Sequence, residues 1–187
     1  MTTLLIGLLI FLGVHSIRIA APAWRERVVQ QRGPLAWKGI YAVAALLGFV
    51  LIVVGYGQAR DAPIVLYTPP TAFKHAALLL LVPVFPLLIA TYLPGRISAA
   101  AKHPMLLATK LWALAHLLAN GSLADVLLFG SFLVWAVADR ILAKQRGGAT
   151  PPAGQPRNDA IAIVAGLAVY AAFIGGVHRW LIGVSPL

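Results

Sequence analysis

Gly39-Ile-Tyr-Ala-Val-Ala-Ala-Leu-Leu-Gly48-Phe-Val-Leu-Ile-Val-Val-Gly55-Tyr-Gly-Gln-Ala59 contains no Asp, Glu, Lys or Arg. A helix crosses a bilayer in roughly 17–25 apolar residues, and this run meets that length. Met1 to Ile17, His75 to Gly95 and Ala160 to His178 are equally free of those four residue types. A lipid interior offers main-chain N–H and C=O groups no partner, so such segments cross it as α-helices. The expected fold is all-α, a polytopic membrane helix bundle.

Working outward, Met105 to Ile141 holds two more spans divided by Asn120-Gly121-Ser122. The fourth, Pro104 to Ala119, is short: at 1.5 Å per residue it covers only about 24 Å. The fifth runs from Leu123 to Leu142, with Asp125 and Asp139 near its ends. That makes about six transmembrane helices in one integral membrane domain, 1–187, with a flexible Gly/Pro linker at 147–158 before the last helix. Composition agrees, with 60% hydrophobic and 11% charged residues and a mean hydropathy of +0.87. An ordinary soluble domain has about 25% charged residues. Pro83 and Pro86 should break the third span and free main-chain carbonyls there. Gly7 and Gly13, Gly55 and Gly57, and Gly175 and Gly176 read as helix-contact positions. Trp37, Tyr41, Tyr92 and Trp180 read as interfacial anchors.

The formal charge of +10 does not indicate nucleic acid, because the cations are spread over the loops between spans. Loops after spans one, three and five hold eleven of them, from Arg18 to Arg157, and the other loops hold Arg60, Lys74 and Arg179. Cations accumulate on the cytoplasmic side, so both termini are expected outside the cytoplasm of a bacterial inner membrane. The first apolar run lacks a preceding basic region, which fits an uncleaved helix rather than a signal peptide. Membrane lipid is the expected surrounding partner, and the apolar spans are compatible with a homo-oligomer. There is no cysteine, which removes disulfides and thiolate chemistry.

Two histidines stand at membrane depth, His15 in the first apolar run and His116 in Lys110-Leu-Trp112-Ala-Leu-Ala-His116-Leu-Leu-Ala-Asn120. Ionisable groups are costly there and usually face the protein interior with a function. A pair on separate helices is the simplest way to hold a metal or haem iron. Trp112, His116 and Asn120 share one helical stripe. Trp112 packs either on a macrocycle or on a neighbouring helix, and Asn120 either orients the imidazole or caps the helix. Arg18, one turn after His15, is either an interface cation or a partner for a haem propionate. His116 itself reads as a ligand or as a cross-helix hydrogen-bonding group. His75, His103 and His178 lie at span ends. No two histidines stand three to five residues apart and carboxylates are scarce, which disfavours zinc.

Phe11-Leu-Gly-Val-His15-Ser16, Lys102-His103-Pro104-Met105, Lys110 to Gly121 and Leu128-Phe129-Gly130 resemble, in that order, the NnrU family of membrane proteins. The family also contains plant 15-cis-zeta-carotene isomerases. That resemblance implies haem b held by two histidines, matching His15 and His116, and a cis-trans isomerase acting on a lipid-soluble, carotenoid-like polyene. In the isomerases the second histidine lies in a Cys-x-x-His motif whose cysteine, proposed to exchange with a histidine ligand, is Ala113 here. The bacterial members' association with nitrite and nitric oxide metabolism implies the alternative of a haem-based sensor or accessory factor for nitric oxide. A further likeness, to isoprenylcysteine methyltransferase-type enzymes, rests on His103-Pro104 at a helix start. Those enzymes need acidic residues near the C-terminus, and the segment after Asp159 has none.

Overall fold

The computed structural model describes residues 1–145 and 154–186. In chain order the elements are α1 Thr2–Ala20, α2 Pro22–Asp61, α3 Thr71–Leu81, α4 Val84–Tyr92, α5 Arg96–Ala101, α6 Pro104–Ala119, α7 Leu123–Gln145 and α8 Pro156–Ala172. A π-helical turn, Phe173–Val177, then leads into α9, His178–Ile182. Among the described residues the β pairing amounts to one antiparallel bridge, Val65 with Ser122, and the fold is all-α as expected. Among the described residues, five helical stretches are long and apolar enough to cross a membrane: Thr2–Ala20, Pro22–Asp61, Thr71–Tyr92, Leu123–Gln145 and Pro156–Ile182. The expected fourth span, α6, has only 16 residues. The chain divides into two compact units, Met1–Thr68 with Gly121–Trp135, and Pro69–Asn120 with Ala136–Leu187.

In the first unit α1 and α2 meet through glycine. A Cβ on Gly7 would lie 2.6 Å from the Ile52 nitrogen, and one on Gly48 would lie 2.7 Å from the Phe11 nitrogen. Gly55 abuts the backbone of Leu4 just as closely. Removing side chains lets helix backbones approach and gain dispersion contact where lipid offers no hydrophobic drive. Gly13 and Gly57 are different, since a Cβ at either meets nothing within 4 Å. Neither is a contact glycine. The segment from Pro22 to Arg32, expected as a loop, is helical: Pro22 stands in the first turn and Gly33 (φ 82°, ψ 159°) with Pro34 ends it before the long apolar part of α2. Proline suits a helix start, and glycine tolerates the positive φ. Trp37 is buried, edge-on to Trp24 at 5.8 Å. Residues 64–67 pair with 121–123, with the Leu66 and Tyr67 amides donating to the Gly121 carbonyl (2.8 and 3.1 Å).

In the second unit Pro83 divides the third span, as expected. It has no N–H for the Leu79 carbonyl, which instead accepts from Val82 at 3.3 Å. That diverts the Val82 amide from the Leu78 carbonyl, and the Tyr170 hydroxyl of α8 donates to Leu78 O at 2.7 Å. A freed carbonyl is thus satisfied by a side chain from another helix. Gly166 of α8 lies directly against Pro86, so α8 also packs closely on α4 beyond the break. Val84, Leu87 and Ala108 form a buried cluster between α4 and α6.

Residues 147–153 of the expected linker lie outside the described residues. Pro156, Arg157 and Asn158 form the first turn of α8 rather than linker. Asp159 explains their order. Its carboxylate accepts from the Arg96 and Ile97 amides (2.9 and 3.0 Å) at the start of α5, while Asn158 Nδ2 donates to the Pro94 carbonyl at 2.7 Å. Gly175 has open space around it and Gly176 (φ 150°) supplies the π turn. Neither is a contact glycine, and only Gly176 serves backbone conformation.

Candidate functional site

His15 sits in the last part of α1, half-buried. Its Nδ1 lies 2.7 Å from the main-chain carbonyl of Phe11, one turn back. A carbonyl only accepts, so the ring proton is assigned to Nδ1 and Nε2 carries the lone pair. Three aromatic rings surround the imidazole. Phe11 stacks on it at 4.2 Å, Tyr41 of α2 approaches edge-on at 5.4 Å, and Trp135 of α7 stands perpendicular at 6.1 Å. Phe132 completes the lining through Phe11 at 5.7 Å. The Trp135 Nε1–H is buried with no hydrogen-bond acceptor. Indole nitrogen is a donor only, and an unmet buried donor costs about 1–3 kcal/mol. Ser16, beside His15, donates to Leu12 O at 2.6 Å, which ties it to its own helix. Arg18 is exposed at the end of α1, where a cation also complements the helix dipole.

His116, in the second unit, repeats the local device. Its Nδ1 lies 2.8 Å from the Trp112 carbonyl, again one turn back, and again the proton belongs on Nδ1. The stripe expected from spacing is real: the Trp112 ring lies 5.3 Å from the imidazole, and Asn120 follows one turn on. Asn120 takes the capping role. Its amide N–H and its Nδ2 both donate to the His116 carbonyl at 2.9 Å, closing the end of α6. Trp112 packs against the Val84, Leu87 and Ala108 cluster. Ala113, at the position of the family cysteine, is fully buried, as is Ala115. Small side chains therefore line the buried face of α6 beside the histidine.

The other histidines differ. His178 Nδ1 bonds the Val184 carbonyl at 2.7 Å near the last helix end, and His75 is exposed. His103 follows a strained turn. Lys102 has φ 60° and ψ −40°, and the His103 amide donates to Ala101 O at 2.7 Å, a geometry close to the rare γ-turn. Among the described residues no three His, Asp or Glu side chains gather where they can hold a metal ion.

One polar cluster escaped the sequence reading. Asp125 is 7% exposed, yet its carboxylate accepts from the Tyr56 hydroxyl at 2.5 Å and from Ser122 N and Oγ at 2.9 and 2.6 Å. Ser122 Oγ in turn accepts from the Asp125 amide at 3.2 Å, so the Ser-x-x-Asp spacing forms a reciprocal cap on α7. That spacing was a usable signal, whereas the Tyr56 donor 69 residues away had none. Burial, then the Asp125 charge, raises the pKa of Tyr67 in the adjoining loop.

Fold and site together define a class: a multi-pass α-helical membrane protein with two half-buried histidines, each clamped through Nδ1 to its own helix. The family model described as NnrU protein matches residues 3–186. The chain belongs to the NnrU family. Comparison with curated proteins and with solved structures gives no match.

Proposed function

We propose that this NnrU-family protein binds haem b through His15 and His116 and acts as an isomerase-like haem protein on a lipid-soluble polyene. One observation carries the reading: the two histidines share a single orientation, Nδ1–H held by the carbonyl one turn back. That bond fixes the tautomer and ring plane, as outer-shell partners of metal-bound histidines do. On donor chemistry the residues fit the group, since two imidazoles could hold a haem iron and both lie among apolar or aromatic side chains. Haem held by His15 and His116 would supply one-electron chemistry. Phe11, Tyr41 and Trp135 exclude water around His15. Trp135 Nε1 offers an unused donor beside it, and Arg18 a cation for a carboxylate at the membrane surface. Ala113 has no thiol, so this position would offer the iron no sulfur ligand.

The absence of cysteine favours a second reading, a haem-based nitric oxide sensor or accessory factor. Incubating the reduced protein with cis-carotene and resolving isomers by chromatography separates the two. Turnover supports the isomerase, whereas tight nitric oxide binding without turnover supports the sensor. The haem proposal itself rests on a Soret band and a b-type pyridine haemochrome in protein expressed with ample haem. Their absence would overturn it. The cation distribution further supports six spans in a bacterial inner membrane, with both ends of the chain outside the cytoplasm. Reporter fusions active only outside the cytoplasm, placed after Asn120 and after Leu187, should both give signal; silence at both rejects that orientation.

A further inference from the structure

The break at Gly33 creates a feature that the haem reading does not use. Between Pro22 and Lys38 stand four cations, Arg25, Arg27, Arg32 and Lys38, against the single carboxylate of Glu26. Arg25 lies over the Trp37 ring at 5.8 Å. Two grooves meet at Arg32 and Ile40. The first, about 360 Å³, is bounded by Trp24, Val28, Gln31 and Trp37. The second, about 640 Å³, runs down α2 over Ala36, Gly39, Val43 and Leu47. Both are open to the surroundings rather than enclosed. The second is aliphatic along its length and charged only at the Arg32 end.

Gly39 sharpens the picture. Glycine inside a helix costs about 1 kcal/mol relative to alanine, and a Cβ here would meet nothing within 4 Å. No helix contact of the fold needs that glycine. Its bare surface deepens the groove instead. The arrangement is complementary to an amphiphile with an anionic head at Arg32 and a hydrocarbon chain along Gly39 and Val43. Arginine's planar fork suits phosphate, and Trp24, exposed beside the same groove, suits the headgroup level.

We infer that the Arg32–Gly39 groove is a binding site for one anionic phospholipid of the surrounding membrane. The inference stands whether or not haem is bound. Native mass spectrometry of the detergent-solubilised full-length protein, titrated with phosphatidylglycerol or chain-matched phosphatidylcholine, tests it. The protein should retain one phosphatidylglycerol about fivefold more tightly than phosphatidylcholine, the advantage expected of one basic side chain at a membrane surface. That preference should vanish at about 1 M salt, where the Debye length is roughly 3 Å. Arg32→Gln should reduce phosphatidylglycerol binding to the phosphatidylcholine level. Gly39→Leu should weaken both lipids, with helicity by circular dichroism unchanged. Equal retention of the two lipids by the unaltered protein would overturn the proposal without any variant. So would full lipid binding in Gly39→Leu, or a loss of dimer in that variant showing that a second copy occupies the groove.

Discussion

His15 and His116 share a hydrogen bond and little else. His15 is enclosed by rings contributed from α1, α2 and α7, so its surroundings exist only when three helices pack. Beside His116, Trp112 and Asn120 belong to its own helix and the turn that ends it, and Trp112 packs in turn on the α4–α6 cluster. The ring enclosure of His15 is tertiary, whereas the Nδ1 bond of His116 is local. Mutations that disturb the packing of α1, α2 and α7 should therefore open the ring enclosure of His15, while the hydrogen bond that orients the His116 ring needs only α6 itself.

The largest effect is expected at Gly55. Any side chain there enters the backbone of Leu4, and Gly55→Val should destabilise the first unit by more than about 3 kcal/mol, the upper range for overpacking. Reversible unfolding in mixed micelles measures it, and a loss below about 1 kcal/mol would show that α1 and α2 are not held this closely. The counterpart in the second unit is Tyr170→Phe, which strands the Leu78 carbonyl. The expected loss is about 1–2 kcal/mol, reading the cost of an unmet buried acceptor together with typical membrane hydrogen bonds. Asp159→Ala should cost about 1 kcal/mol through the lost cap on α5, seen as a lower midpoint in the same assay. The smallest change runs the other way. Lys102→Gly relieves a positive φ and should stabilise the protein by up to about 1 kcal/mol, and a loss instead would mean that the Lys102 side chain holds the turn.

What was legible from the sequence follows the same division between local and tertiary causes. Charge-free runs located the spans, and Pro83 marked the break between α3 and α4, because apolar length and a missing N–H act on the chain where they occur. The stripe from Trp112 to Asn120 followed from helical periodicity alone. Gly7 and Gly55 proved to be contacts while Gly13 and Gly57 did not, since spacing cannot say which face of a helix meets a neighbour. Pro22 and Gly33-Pro34 were signals for the helix between Pro22 and Arg32, but the concentration of charge there reads equally as a loop. The Asp159 clamp, the Tyr170 to Leu78 bond and the ring of aromatics around His15 join residues far apart in sequence. Each needs the folded chain to be seen.

The Trp135 indole tests the enclosed site more gently. With its N–H unmet, Trp135→Phe should leave the haem-free protein as stable as before or slightly more so, and yet weaken retention of any ligand that supplies the acceptor.

The most direct measurement is electron paramagnetic resonance of the oxidised, haem-loaded protein. The unaltered chain should give a low-spin bis-imidazole signal. His15→Ala and His116→Ala should each convert it to high spin, and added imidazole should restore the low-spin form. A low-spin signal that persists in either variant without added imidazole would contradict the assignment of that histidine to the iron.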